Sequence, residues 1–187
     1  MSVEYCLVRM APHDFEELRQ QPSILHDLMD TFYQAASDKS QDRLYVDSRD
    51  VFAGSVLIVP AALRMLYVDE FTTSLLVDFM DERSAVFAAL IGWGDAQPLE
   101  SVQYGHGAIS YYAPDDVRIV ALKLSAYPHA LLEARLRKHA DRFRLAAAGY
   151  FDGDQAILAH QHTFADLLCA FYDQAARDGD VVLLLVV

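Results

Sequence analysis

Residues 92–112 hold the densest collection of chemically capable side chains: Trp93, Asp95, Tyr104, His106, Tyr111 and Tyr112, with glycines at 92, 94, 105 and 107. Glycine lets backbone approach a ligand closely, and aromatic rings offer stacking surface. These six residues are the candidate ligand-binding set, and His106 would be the proton-transfer group of such a site. The competing reading is a structural loop, with glycines at positive φ and aromatics capping the core. Gly105-x-Gly107 is not a dinucleotide fingerprint, because the preceding strand pattern and the third glycine are missing.

The other candidates are sparser. His160-Gln161-His162 would put two imidazoles on one face of an extended segment. A metal needs three or four ligands, and no Cys or acid stands at a diagnostic spacing, so no metal is expected. Asp152-Gly153-Asp154 begins like a calcium loop, but Ala156 and Ile157 follow where ligands are required. Arg135, Arg137, Lys138, Arg142 and Arg144 concentrate basic charge on a predicted helix. A solvated face paired with the protein's own carboxylates explains them better than a phosphate site. Asp78, Asp81 and Glu82 share a helix face, read as the solvated side of an amphipathic helix. Ser55 is not in G-x-S-x-G, and no Walker loop or H-E-x-x-H occurs. No cofactor is expected, and no catalytic residue can be named.

Charge narrows the partners. The 187 residues carry a formal net charge of −12, which repels nucleic acid and anionic membrane alike. A basic protein partner, such as a nuclease to be neutralised, suits that charge, and so does plain solubility. The longest apolar run, residues 181–187, is far short of the ~20 residues of a membrane helix. The first residues lack the basic-then-apolar pattern of a secretory signal. With two cysteines outside any C-x-x-C, this points to the cytoplasm and reduced thiols.

The elements that must position these residues follow from periodicity. Residues 3–9 read as a strand, Pro12 opens a short helix, and residues 24–36 form a second helix with Ile24, Leu25, Leu28 and Phe32 inward. Residues 51–66 hold two short elements, interrupted by Gly54 and Pro60. A helix over 72–91 should stop at Gly92, and Pro114 should start another with Val117, Val120, Ala121 and Leu124 buried. A helix over 129–145 follows. Residues 146–162 read as a connection, and Thr163 as the cap of a last helix. Residues 181–187 show no polar alternation, which predicts a strand covered on both faces. The fold class is α/β or α+β: a single domain over residues 1–187, with a small mixed sheet, neighbouring N- and C-terminal strands, and about six helices.

Several segments, in order, resemble the YfbM-like family of uncharacterised bacterial proteins. Arg43-Leu44-Tyr45-Val46-Asp47 through Gly54 is similar to its L-x-L-D-K-x-W segment. Tyr104-Gly105-His106-Gly107-Ala108-Ile109-Ser110-Tyr111-Tyr112 with Pro114-Asp115-Asp116-Val117 is similar to its G-x-G-x-A-x-Y-L-T-P-E-E-V stretch. Residues 170–180 and the final apolar strand are similar to its C-terminus. The early tryptophan is absent here, and Ala113 stands where the helix cap is usually threonine. The resemblance implies a compact α/β fold and a bacterial source, and supplies no activity.

These observations favour a non-enzymatic binding or protein-interaction protein, monomeric or homodimeric. The alternative is a small-molecule-binding protein or enzyme built on the loop 92–112.

Overall fold

The computed structural model describes residues 5–37, 44–46, 56–58, 65–68, 85–92, 96–104, 107–126, 129–138, 141 and 154–186. Seven strands form one sheet: β1 (Tyr5–Met10), β2 (Leu44–Val46), β3 (Val56–Ile58), β4 (Met65–Val68), β5 (Gln97–Tyr104), β6 (Gly107–Tyr112) and β7 (Val181–Val186). Their order is β2-β3-β4-β1-β7-β6-β5. Each of the six strand pairs is antiparallel, where a mixed sheet had been expected. The terminal strands are neighbours, as the apolar C-terminus implied, with Leu7 opposite Leu184 and Cys6 opposite Leu185.

Strand alternation sorts side chains into two cores. On one face Leu7, Leu66, Tyr112, Val182 and Leu184 meet α3 (Ala85–Ile91), α4 (Pro114–Ser125) and α6 (Asp154–Asp178). On the other, Cys6, Val8, Ile109, Leu183 and Leu185 meet Phe15 and Leu18 of α1 (Pro12–Gln20), and Leu25 and Met29 of α2 (Ser23–Ser37). The sheet is therefore the middle of three layers. Cover on both faces explains why β7 reads Val-Val-Leu-Leu-Leu-Val with no polar alternation. Among the described side chains of α2, Leu25 and Met29 are buried and Leu28, expected inward, is 36 % exposed; the side chain of Phe32 lies outside the described ones.

Helix ends follow elementary rules. Pro12 and Pro114 each start a helix, where a missing N–H costs nothing. Ala113 precedes α4 in extended conformation and makes no side-chain cap, as alanine must. Gly92 stops α3 with φ 77°, and its N–H bonds the Ala88 carbonyl at 2.9 Å. At Gly179, φ 71°, the chain leaves α6, and the Asp180 N–H returns to the Ala175 carbonyl at 2.9 Å. That six-to-one bond turns the helix directly into β7.

α6 departs from expectation at its start. It begins at Asp154 rather than Thr163, and its 25 residues run about 37 Å. Gln161, Phe164, Ala165, Leu168, Phe171, Tyr172 and Ala175 form one continuous buried stripe, and that packing carries the helix past Thr163. Thr163 turns its hydroxyl back to the Ala159 carbonyl, 2.9 Å away, as a helix-interior threonine does. α5 (His129–Lys138) packs against α6. The helix expected over 72–91 is described only as α3, and the acids at 78, 81 and 82 lie outside the described residues.

Leu183, Leu184 and Leu185 are buried at the sheet's centre. Each such side chain contributes about 1.5–3 kcal/mol. Deleting residues 183–187 should therefore remove an amount comparable to the ~5–15 kcal/mol total of a typical domain. The expected result is an insoluble or unfolded chain by circular dichroism. A truncation that stays soluble with an unchanged melting temperature would show that β7 is dispensable.

Candidate functional site

The region 92–112 forms a β-hairpin, β5–β6, between Gly92 and α4. Its pairing shifts register between Pro98 and Gln103. Trp93, Asp95 and His106 lie outside the described residues. The three tyrosines are described, and alternation along the hairpin divides them.

Tyr112 faces the α3–α4–α6 layer and is fully buried. Its hydroxyl donates to the Ala88 carbonyl at 2.8 Å. The neighbouring carbonyl, Ala89, accepts from Tyr172 of α6 at 2.6 Å. Both carbonyls belong to the last turn of α3: Ala88 accepts the Gly92 N–H as well, while Ala89 lies where helical acceptors run out of intrahelical donors. Two tyrosines from different elements thus finish one short helix. Burial, followed by the nearby Tyr112, pushes the Tyr172 phenol well above its ordinary range, so it stays a neutral donor.

Tyr104 and Tyr111 face the α1–α2 layer instead. The Tyr111 ring lies 4.7 Å from that of Phe15, and its hydroxyl donates to the Gln97 side chain at 2.6 Å. Tyr104 meets His26 of α2 with ring centroids 5.1 Å apart. Burial first, and then the charge of Asp30 and the Cys6 thiol, raise the Tyr104 phenol. The structure therefore brings Tyr104 and Tyr111 to one face and puts Tyr112 on the other. His26, Asp30 and Phe15 join that face through tertiary packing, and no spacing in the sequence signals them.

His160-Gln161-His162 lies inside α6 rather than on an extended segment. On a helix, residues two apart are rotated by about 200°, so positions 160 and 162 fall on different sides of α6. Gln161, between them, is buried. Among the described residues no three His, Cys, Asp or Glu side chains are grouped to hold a metal. Of the basic cluster, Lys138 is exposed and Arg137 approaches Glu133 at 3.9 Å. Cys6 sits in the core, where burial pushes its thiol up to about 12. Burial, with Asp173 and Asp166 nearby, also raises Cys169. Neither thiol is activated as a nucleophile.

Among the described residues Arg9, on β1 and only 6 % exposed, is a buried charge, as is Asp180. Its guanidinium contacts Asp178 at 2.6 Å and Asp180 at 3.1 Å, on either side of Gly179. Gln174 donates to both Asp178 oxygens at 3.0 Å. These bonds from Gln174 and Arg9 hold the Asp178 carboxyl below its usual value.

No protein-family model and no curated protein matches the chain. Among solved structures, the crystal structure of YfbM from Escherichia coli, a protein of unknown function, is similar with a TM-score of 0.56. The match covers 99 % of this chain and 99 % of that chain, at 13 % identity. At that identity the likeness is one of fold, and it bears out the fold that the sequence resemblance implied. No described helix is long and apolar enough to cross a membrane.

Two outcomes follow from the buried polar contacts. Tyr172→Phe removes one hydroxyl and leaves the Ala89 carbonyl without that donor, which should cost about 1–3 kcal/mol in denaturant melts. A melt identical to wild type would mean the bond contributes nothing. Asp178, whose folded value is depressed, adds stability above the ordinary aspartate range of about 4, and that stability is lost as pH falls through the folded value. Asp178→Asn should flatten the loss of stability below about pH 4, read from melting temperature against pH. Parallel acid limbs for both proteins would exclude Asp178 as a contributor.

Proposed function

We propose that a chain with this YfbM-like fold acts as a non-enzymatic protein-interaction protein of the bacterial cytoplasm, monomeric or homodimeric, that binds a basic protein partner. The observation that carries this reading is the uneven distribution of charge between the helical layers. α1 and α2 hold five carboxylates and one arginine. α3 to α6 together hold seven carboxylates and six Lys or Arg. Five carboxylates against one arginine leave a net −4 on α1 and α2, whereas seven against six leave a net −1 on the described helices of the opposite layer. A concentrated field of one sign steers and orients an oppositely charged partner, raising its association rate and rejecting partners of like charge.

The described tyrosines of the 92–112 region add support. Tyr112 is committed to holding α3, and Tyr111 is bonded to Gln97. Tyr112 is thereby spent in the core, and Tyr111, held in one place by Gln97, suits a fixed surface better than a reaction centre.

Affinity isolation from the native host, followed by a salt titration of the recovered complex, tests the reading. The expected partner is a protein of net positive charge, held in a stoichiometric complex whose affinity falls steeply with salt. Duplex DNA at physiological salt should bind weakly and without sequence preference. An acidic partner, a salt-independent complex or a tight DNA complex would overturn it.

A further inference from the structure

We infer, resting on the basic-partner reading above, that the partner docks where α2 crosses the end of β5, with Tyr104, His26 and Asp30 receiving an arginine or lysine side chain. His26 and Asp30 are one helical turn apart and so face the same way from α2. His26 lies 5.1 Å from the Tyr104 ring, tilted by 58°. Asp30 is near enough for its charge to act on the Tyr104 hydroxyl. Both α2 side chains are exposed, and Tyr104 is half-buried, so its ring is fixed from below and reachable from outside.

Ring and carboxylate together make a recognisable pair. A guanidinium laid on a tyrosine face meets the negative side of the ring quadrupole, while a carboxylate beside it accepts its N–H bonds. Tyr111 repeats the ring at the far end of the hairpin. Gln97 pairs with Tyr111 there, and Tyr104 with Gly107 at the near end. The four-residue step from Gly107 to Tyr111 spans about 13 Å, the separation of cationic side chains four apart in an extended segment. Glu17 and Asp27, exposed on α1 and α2, extend the negative charge of this layer, while Glu16 is paired with Arg19 at 3.1 Å. Charge complementarity therefore selects a basic protein segment as the occupant.

The test is calorimetric titration of the full chain with a short oligo-arginine peptide at about 0.15 M salt. Asp27→Lys with Asp30→Lys should weaken binding about tenfold. Asp115→Lys with Asp166→Lys, the same charge change on the opposite layer, should weaken it no more than about twofold. Tyr104→Phe, which keeps the ring, should bind like wild type, whereas Tyr104→Leu should weaken binding about threefold. Thermal melts of each variant confirm that the fold is retained. Equal losses from the two charge pairs would overturn this docking surface and leave the basic-partner reading standing. Equal binding by Tyr104→Leu and wild type would overturn the role of the ring. No measurable binding by wild type would overturn the basic-partner reading, and this surface with it.

Discussion

Antiparallel pairing of β1 with β7 is the seam on which the rest of the structure depends. β2, β3 and β4 form a meander on one side of the seam, and β7, β6 and β5 another on the other side. Only β1 joins them, through β4 on one edge and β7 on the other. The two seam strands come from opposite ends of the sequence, so closing the sheet carries the entropy of the largest loop the chain can make. That cost must be offset by apolar burial on both faces. The sequence responds with Cys-Leu-Val in β1 and six consecutive aliphatic residues in β7. Helices cover both sides of this seam, so its two faces are apolar except at Arg9.

A buried cation sits within that apolar seam. Arg9 continues the strand that holds Cys6, Leu7 and Val8, and a lone guanidinium there would be strongly unfavourable. Asp178 and Asp180 arrive beside it because Gly179 reverses the chain between α6 and β7. The Schellman-type turn and the ion pairs are therefore one device: the left-handed glycine places two carboxylates around a fixed arginine. Replacing the pair with apolar side chains need not weaken the fold, whereas removing one partner leaves a buried charge. An arginine of this kind favours one register of β1 against β7 over a slip by one residue. Such a slip would turn Arg9 away from both carboxylates and exchange the two cores.

Much of this frame was legible in the sequence, and the reasons are physical. Uninterrupted Val181 to Val186 could only be a doubly covered strand, and Pro114 followed by Val117, Val120, Ala121 and Leu124 could only be an amphipathic helix. Glycine at 92 marked a helix stop because the left-handed conformation there excludes a Cβ, which would meet Ala96 Cβ at 2.8 Å. Other signals misled. Thr163 has the chemistry of a cap, but the buried stripe from Gln161 to Ala175 runs through it, and packing outweighs a single hydroxyl. The glycines of residues 92–112 suggested a loop, whereas β5 and β6 are paired strands, and β6 is fixed in the sheet by β7, which is far away in sequence. Few strands among many helices suggested a mixed sheet, yet all six described strand pairs are antiparallel.

The candidate site shows where one-dimensional spacing loses its authority. Tyr111 and Tyr112 are adjacent in sequence, and adjacency on a strand means opposite faces of a sheet. One side chain therefore completes the end of α3 within the core, while the other lies on Phe15 of α1 near the surface. Tyr104 is seven residues from Tyr111, an odd separation that would oppose them on a single regular strand. Tyr104 instead pairs across the strands with Gly107, four residues before Tyr111 on β6, so both reach the α1–α2 side. What Tyr104 meets there, His26 and Asp30, lies more than 70 residues earlier in the chain. Such a surface belongs to the tertiary structure alone. Its aromatic half was visible as composition, and its acidic half was hidden among the carboxylates of an acidic protein until α2 was packed against the hairpin.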